Sequence, residues 1–177
     1  KRYSTVYIDG VKMSDPSSSD NSFYFSNIMT SSIDKVEILR GSNSSIYGSG
    51  AIGGVINIFT KKGNYKEKKI NLSHGSNGTD NIDFSLGNHY GSHSYFIGIN
   101  KFNTDGISAM NDEKTSNDDD SYKNESLIAN YSYQINNDIF LSGSLRYSDS
   151  FLNYDEVTSG RTDINNSSDD DELSYNL

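Results

Sequence analysis

From about residue 65 onward, apolar and polar positions alternate with a period of two, in segments of about ten residues. Ile82, Phe84 and Leu86 share one face, with Asp83 and Ser85 on the other. Tyr95, Ile97 and Ile99 alternate with Phe96, Gly98 and Asn100. Leu127, Ala129, Tyr131, Tyr133 and Ile135 oppose Asn130, Ser132 and Gln134, and Ile139, Leu141, Gly143, Leu145 and Tyr147 oppose Ser142, Ser144 and Arg146. This pattern predicts a run of antiparallel strands. Earlier residues have a mixed texture: strands are predicted over 3–8, 33–39 and 55–60, a turn at Asp9-Gly10, a Ser-rich loop over 15–22 and a short helix over 25–32. The seam at Lys61-Lys62-Gly63-Asn64 divides the chain into 1–63 and 64–177.

The composition of the two strand faces narrows the fold class. A soluble sandwich packs a dry core of Leu, Ile and Val inward and turns charged residues and Thr outward. Here one face is apolar with Tyr near the strand ends, and the other is Ser, Asn, Gln and Gly. Lipid outside a barrel and water inside it require that pairing, and about ten residues suit a tilted crossing. Connections agree: 90–92 and 136–138 are tight, whereas 103–122 and 150–171 are long, acidic and rich in Gly, Ser and Asn. Tight periplasmic turns and long extracellular loops alternate in this way. The short link at 75–79 falls on the side expected to be long. No run approaches about 18 apolar residues, so any membrane crossing is by a closed barrel. Both ends of the chain fall within expected strands, so a longer protein is expected around it.

A net charge of −9 with 33% hydrophobic residues suggests disorder, but 13 Tyr and 8 Phe form a β-rich aromatic load that acidic tails lack. The acids cluster at 118–120 and 169–172, and 61–69 is basic, which describes solvated links and no stripe for nucleic acid. Without cysteine there is no disulfide framework or thiolate metal site.

Gly48-Ser49-Gly50-Ala51-Ile52-Gly53 has dinucleotide-binding spacing, but that site needs a helix to follow, and Gly54-Val55-Ile56-Asn57-Ile58-Phe59 reads as a strand. Tight turns and close backbone approach account for the glycines. Val6-Tyr7-Ile8-Asp9-Gly10-Val11 resembles the V-x-I-D-G-V plug strand of TonB-dependent transporters. Ile33-Asp34-Lys35-Val36-Glu37-Ile38-Leu39-Arg40-Gly41 is similar to their I-E-R-I-E-V-L-R-G segment, with Ser42 where the family has Pro. Residues 45–58 resemble the A-L-Y-G-S-x-A-I-G-G-V-I-N-I signature that closes the plug. The resemblance implies a small α+β plug, here its C-terminal part over 1–63. It is followed by about five to six antiparallel strands of an all-β transmembrane barrel of about 22. It also implies an N-terminal TonB box outside this sequence, a periplasmic TonB partner and an outer-membrane lipid environment. Thr104-Asp105-Gly106, residues 100–108 and residues 147–155 are most similar to the cobalamin-transporter subfamily.

That resemblance sets the functional expectations. The chain is expected to belong to a non-enzymatic, energy-coupled outer-membrane importer of a scarce large nutrient, a corrinoid. A siderophore or other nutrient of the same family is the nearest alternative, and a passive porin or a soluble β-rich surface adhesin the alternative of another class. Plug residues expected to face the ligand are Ser17, Ser18, Ser19, Asp20, Asn21, Ser42, Asn43 and Tyr47. Glu37 and Arg40 are either solvated charges or a lock between plug and barrel. Asp155, Asp163, Asp169, Asp170 and Asp171 are expected in one loop, with Asp118, Asp119 and Asp120 in its neighbour. They read as solvated charge or as hard oxygens for calcium, which the subfamily uses to order its substrate loops; Asp155 resembles one such ligand. No cofactor is required. His74, His89 and His93 lack acidic or Cys partners at metal spacing, and no hydrolytic triad is built.

Overall fold

The computed structural model describes residues 4–14, 23, 25–42, 44–107, 119–155 and 165–176. Their strands form two sheets. In the first, β1 (Ser4–Ile8), β2 (Val11–Met13), β3 (Ile33–Arg40) and β4 (Gly54–Thr60) take the order β2-β1-β4-β3. β1 runs antiparallel to β2 and parallel to β4, and β3 is antiparallel to β4. Asp9 and Gly10 turn β1 into β2 at φ of 49° and 85°. Glycine takes this left-handed region freely, and Asp tolerates it through local hydrogen bonds of its short side chain. Val6, Ile8, Met13, Phe23 and Ile58 form the core, with Val11, Ile28, Ile33 and Ile56 packed against it.

The helix expected over 25–32 is absent: two single 3-10 turns, Phe25–Asn27 and Thr30–Ser32, stand there instead. Met29 between them is extended, at φ −87° and ψ 131°. The Ser32 hydroxyl donates to the Met29 carbonyl at 3.0 Å, the local competition by which Ser, Thr and Asn disfavour a helix. The glycine-rich stretch holds a one-turn helix, α1 (Ser44–Tyr47), and a 3-10 turn, Ser49–Ala51, then enters β4.

The second sheet contains β5 (Glu67–His74), β6 (Asp80–Tyr90), β7 (His93–Thr104), β8 (Tyr122–Gln134), β9 (Phe140–Asp155) and β10 (Asn165–Asn176), neighbours in chain order and antiparallel throughout. Two of these depart from the sequence pattern. In β5, Lys68 and Lys69 obscure the alternation of Ile70 and Leu72. In β10 the acidic run is strand: Asp169, Asp170 and Asp171 pair with Phe151, Ser150 and Asp149. They therefore do not lie in the loop expected there. A continuous partner strand overrides the low β-propensity of Asp. The tight links are at one end of the sheet, and the paired strand ends Thr104/Tyr122 and Asp155/Asn165 are at the other. The short link 75–79 belongs to the latter end, where Asp105 N–H donates to the Asn77 carbonyl at 2.9 Å.

Burial is inverted relative to a soluble sandwich. Ile97, Ile99, Leu141, Leu145, Tyr147 and Tyr175 are exposed on the outward face. Ser85, Ser94, Asn100, Asn124, Asn130, Ser148 and Ser150 are buried on the inward face, where the first sheet's domain packs. Among the described residues, Phe96, 1% exposed, and Ile128, 6% exposed, are buried apolar side chains on that inward face, with Phe96 against Gly87 and Gly98. Among the described residues no helix is long and apolar enough to cross a membrane, a fact that does not bear on barrels.

Candidate functional site: the seam between the small domain and the wall

The polar face of the six-stranded wall meets the small domain through hydrogen bonds grouped at four places. The first is Asn27, which ends a 3-10 turn and is buried. Its Oδ1 accepts from Ser150 Oγ at 3.0 Å, its carbonyl from Ser148 Oγ at 3.4 Å, and its Nδ2 donates to Asp170 at 2.5 Å. Asn124 Nδ2 in turn donates to Ser148 Oγ at 3.1 Å. The second is Asp83, which accepts from Asn71 at 3.2 Å, Asn81 at 2.7 Å and Asn100 at 2.6 Å, and from Ser31 of the small domain.

At the third place the chain leaves the small domain. Asn130 Nδ2 donates to Thr60 Oγ1 at 2.9 Å and to the Lys61 carbonyl at 2.7 Å, and Lys62 Nζ donates to Asn130 Oδ1 at 3.3 Å. Asp9 accepts from the Thr60 N–H at 3.0 Å and from the Thr60 hydroxyl, and pairs with Lys62 at 2.8 Å. The fourth is the link into β5, where Lys61 and Glu67 pair at 2.8 Å, both side chains largely buried, with Ser85 Oγ donating to Glu67 at 2.9 Å. On the wall itself Arg146 pairs with Glu172.

These contacts depend on geometry more than on area. A buried hydrogen bond adds little net stability, but leaving one partner unsatisfied costs about 1–3 kcal/mol. The seam is therefore specific, and it is built of groups that water can also satisfy.

The sequence-predicted site residues that the structure describes lie apart from these four places, except Asp170. Glu37 pairs with Lys35 on its own strand at 2.6 Å, both about half exposed. Arg40 is exposed at the end of β3 and forms no ion pair among the described residues. The described hydrogen bonds with the wall involve Asp9, Asn27, Ser31, Thr60, Lys61 and Lys62. Ser42 is exposed beside Gly41. Tyr47 is half-buried, its carbonyl 3.3 Å from the Tyr7 hydroxyl and its ring edge-on to Tyr7 at 5.4 Å. Ser17, Ser18, Ser19, Asp20, Asn21 and Asn43 lie outside the described residues, as do Asp118 and Asp163.

Alternation along β10 separates its carboxylates: Asp170 faces inward to Asn27, whereas Asp169 and Asp171 are exposed on the opposite face. Asp155 ends β9 opposite Asn165. Among the described residues no cluster of three His, Cys, Asp or Glu is arranged for a metal ion. His74 bonds Asp80 at 2.8 Å, a single acid, while His89 and His93 bond Ser94 and the Tyr131 hydroxyl at 2.7 and 2.8 Å.

A lipid-suited outer face and a polar lumen face occupied by a separate small domain define a plugged outer-membrane β-barrel. Residues 1–55 match the family model described as the TonB-dependent receptor plug domain. Residues 1–55 are thus a TonB-dependent receptor plug domain, and the chain as a whole is like the plug and neighbouring wall strands of such an outer-membrane receptor. Among curated proteins it is 31% identical over 157 residues to the vitamin B12 transporter BtuB of Photobacterium profundum, covering 88% of this chain and 25% of that protein. To the BtuB of Vibrio vulnificus it is 29% identical over 150 residues, covering 84% and 24%. The chain thus spans about a quarter of the length of these relatives.

Solved structures give the same architecture. The pyoverdine-bound receptor FpvA of P. aeruginosa superposes with a TM-score of 0.67 at 16% identity, over 84% of this chain and 19% of that one. The siderophore receptor PiuA of Acinetobacter baumannii gives 0.61 at 20% identity, over 85% and 20%. The ferric yersiniabactin receptor FyuA of Yersinia pestis gives 0.62 at 20%, over 86% and 23%. At these identities the likeness carries the fold. The homologues are receptors and transporters, not enzymes.

Proposed function

We propose that the receptor carrying this chain imports a corrinoid across the outer membrane, with TonB supplying the energy from the periplasmic side. The observation that carries the substrate reading is the identity to B12 transporters, which extends through the wall strands as well as the plug. The inward face supports gating over passive flow. Three of its buried polar residues, Asn130, Ser148 and Ser150, bond to a plug that a porin would not need. Import then depends on displacing polar contacts that water can replace, which costs less than exposing an apolar interface of equal area. Three of the five carboxylates considered for calcium lie in β10 on alternating faces, so this reading does without a bound cation.

The test is uptake of labelled cyanocobalamin by cells that lack their own transporter and express the full-length receptor, with and without TonB. Uptake that requires both receptor and TonB is the expected result. Uptake of a ferric siderophore in its place would move the substrate to the alternative ligand class. Uptake indifferent to TonB would remove the energised gate.

A further inference from the structure

Asn130, Thr60, Asp9 and Lys62 close a circuit. Asn130 Nδ2 donates to the Thr60 hydroxyl oxygen at 2.9 Å, and that hydroxyl donates to the Asp9 carboxylate. The carboxylate pairs with Lys62 Nζ at 2.8 Å, and Lys62 Nζ returns to Asn130 Oδ1 at 3.3 Å. Four parts of the molecule meet in it: wall strand β8, the end of plug strand β4, the turn between β1 and β2, and the link to the barrel. Thr60 and Asn130 are each 4% exposed, and the Asp9 side chain is 9% exposed.

We propose that these four residues act as one latch that keeps the plug seated against the wall at its periplasmic end, with Asn130 as the wall's positioning residue. Three features carry this. The Thr60 hydroxyl is used in both directions, so it cannot keep Asp9 and release Asn130 without leaving a buried acceptor or donor unmatched. Asp9 is a buried carboxylate that, among the described residues, has Lys62 as its ion-pair partner, and Lys62 also holds the wall. Separating plug from wall therefore disturbs a buried charge as well as neutral bonds. Finally, the circuit borders an open cleft between plug and wall that is lined by Lys62, Asn64, Ser132, Phe140, Ser142 and Asn176. Loosening the circuit extends that solvent-filled cleft along the seam. The latch concerns how the pore stays shut and is independent of which nutrient is carried.

The experiment uses the full-length receptor in planar lipid bilayers and records the urea concentration at which ion conductance appears. Asn130→Ala, Thr60→Val and Asp9→Asn are each expected to lower that concentration. Asn at position 9 still tolerates the left-handed turn, so it removes the charge and keeps the backbone. Thr60→Ser, which retains the hydroxyl, should match the wild type, although Val is closer to Thr in shape; a packing role would give the reverse order. The double variant Asn130→Ala/Asp9→Asn should be no worse than its more sensitive single variant. Lys35→Ala, away from the circuit, should leave the onset unchanged. Assembly is checked by the compact migration of unheated receptor on detergent gels. Lys62→Met, at a half-exposed position that keeps its alkyl stem, decides the matter for any buried variant that fails to assemble. Wild-type onset for Lys62→Met, Val and Ser equivalent at position 60, or additive effects in the double variant would each overturn the latch.

Discussion

The Ser150 hydroxyl donates to Asn27 Oδ1 at 3.0 Å, joining two buried polar residues 123 positions apart across the boundary between plug and wall. Asn27 spends its amide nitrogen on Asp170 as well, so one plug residue is held by both β9 and β10. Replacing Asn27 by Leu keeps the number and branching of the side-chain heavy atoms but leaves Ser150 and Asp170 facing an apolar group. The expected loss is about 1–3 kcal/mol per unsatisfied group. Urea titration of plug release in the full-length receptor measures it, and a Leu variant as stable as wild type would mean that the contact contributes nothing.

Gly63 is the tightest point of the link between plug and barrel. At φ +75° it lies in the left-handed region, and a Cβ there would sit 1.9 Å from the Tyr95 carbonyl oxygen. At Gly98 a Cβ would meet Ile128 Cγ2 at 2.9 Å and Phe96 at 3.1 Å, both side-chain atoms that can shift. Gly63→Ala should therefore impair assembly more severely than Gly98→Ala. The amount of heat-modifiable receptor in isolated outer membranes ranks them, and the opposite order would refute the argument.

The outward face sets a third expectation. Leu145 is 40% exposed on that face, while Ser144 next to it faces the lumen. Leu145→Lys should cost about 2–4 kcal/mol if the residue lies near the bilayer midplane, and Ser144→Lys far less. Equilibrium unfolding of the receptor reconstituted in lipid gives both values. Equal costs would mean that the faces are assigned wrongly.

Near the long-link end of the wall, Lys101, Glu125, Asp149 and Asp171 stand side by side on adjacent strands, on the outward face. Lys101 neutralises Glu125, which leaves Asp149 between carboxylates. Like charges directly across a sheet are destabilising by about 0.2–1 kcal/mol. Asp149→Asn should raise stability by an amount in that range and weaken its dependence on salt, since screening already relieves part of the repulsion. Unfolding midpoints at low and high salt check both parts.

Much of this architecture follows from residue order alone. Alternation at Ile97–Ile99 and Leu141–Leu145 marked a lipid face because no dry core accounts for Ser and Asn on its reverse. The plug motifs around Asp9-Gly10 and Gly48 announced their turns because few residues adopt such backbone conformations. Local pattern failed where a partner decided the outcome. The acidic run of β10 is a strand because β9 offers it a full ladder, and residues 25–32 are two short turns in which Ser32 bonds back to Met29 while Asn27 and Ser31 reach the wall. The contacts that seat the plug were the least legible of all. Asn130 carries no signal distinguishing it from Ser132 or Asn124 along β8, and Glu37 and Arg40 drew attention through their charge. Secondary structure and face follow from interactions within a few residues, which a sequence displays. The seat joins Asp9, Thr60 and Asn130 across 51 and 70 positions, and only the closed tertiary structure brings such groups within bonding distance.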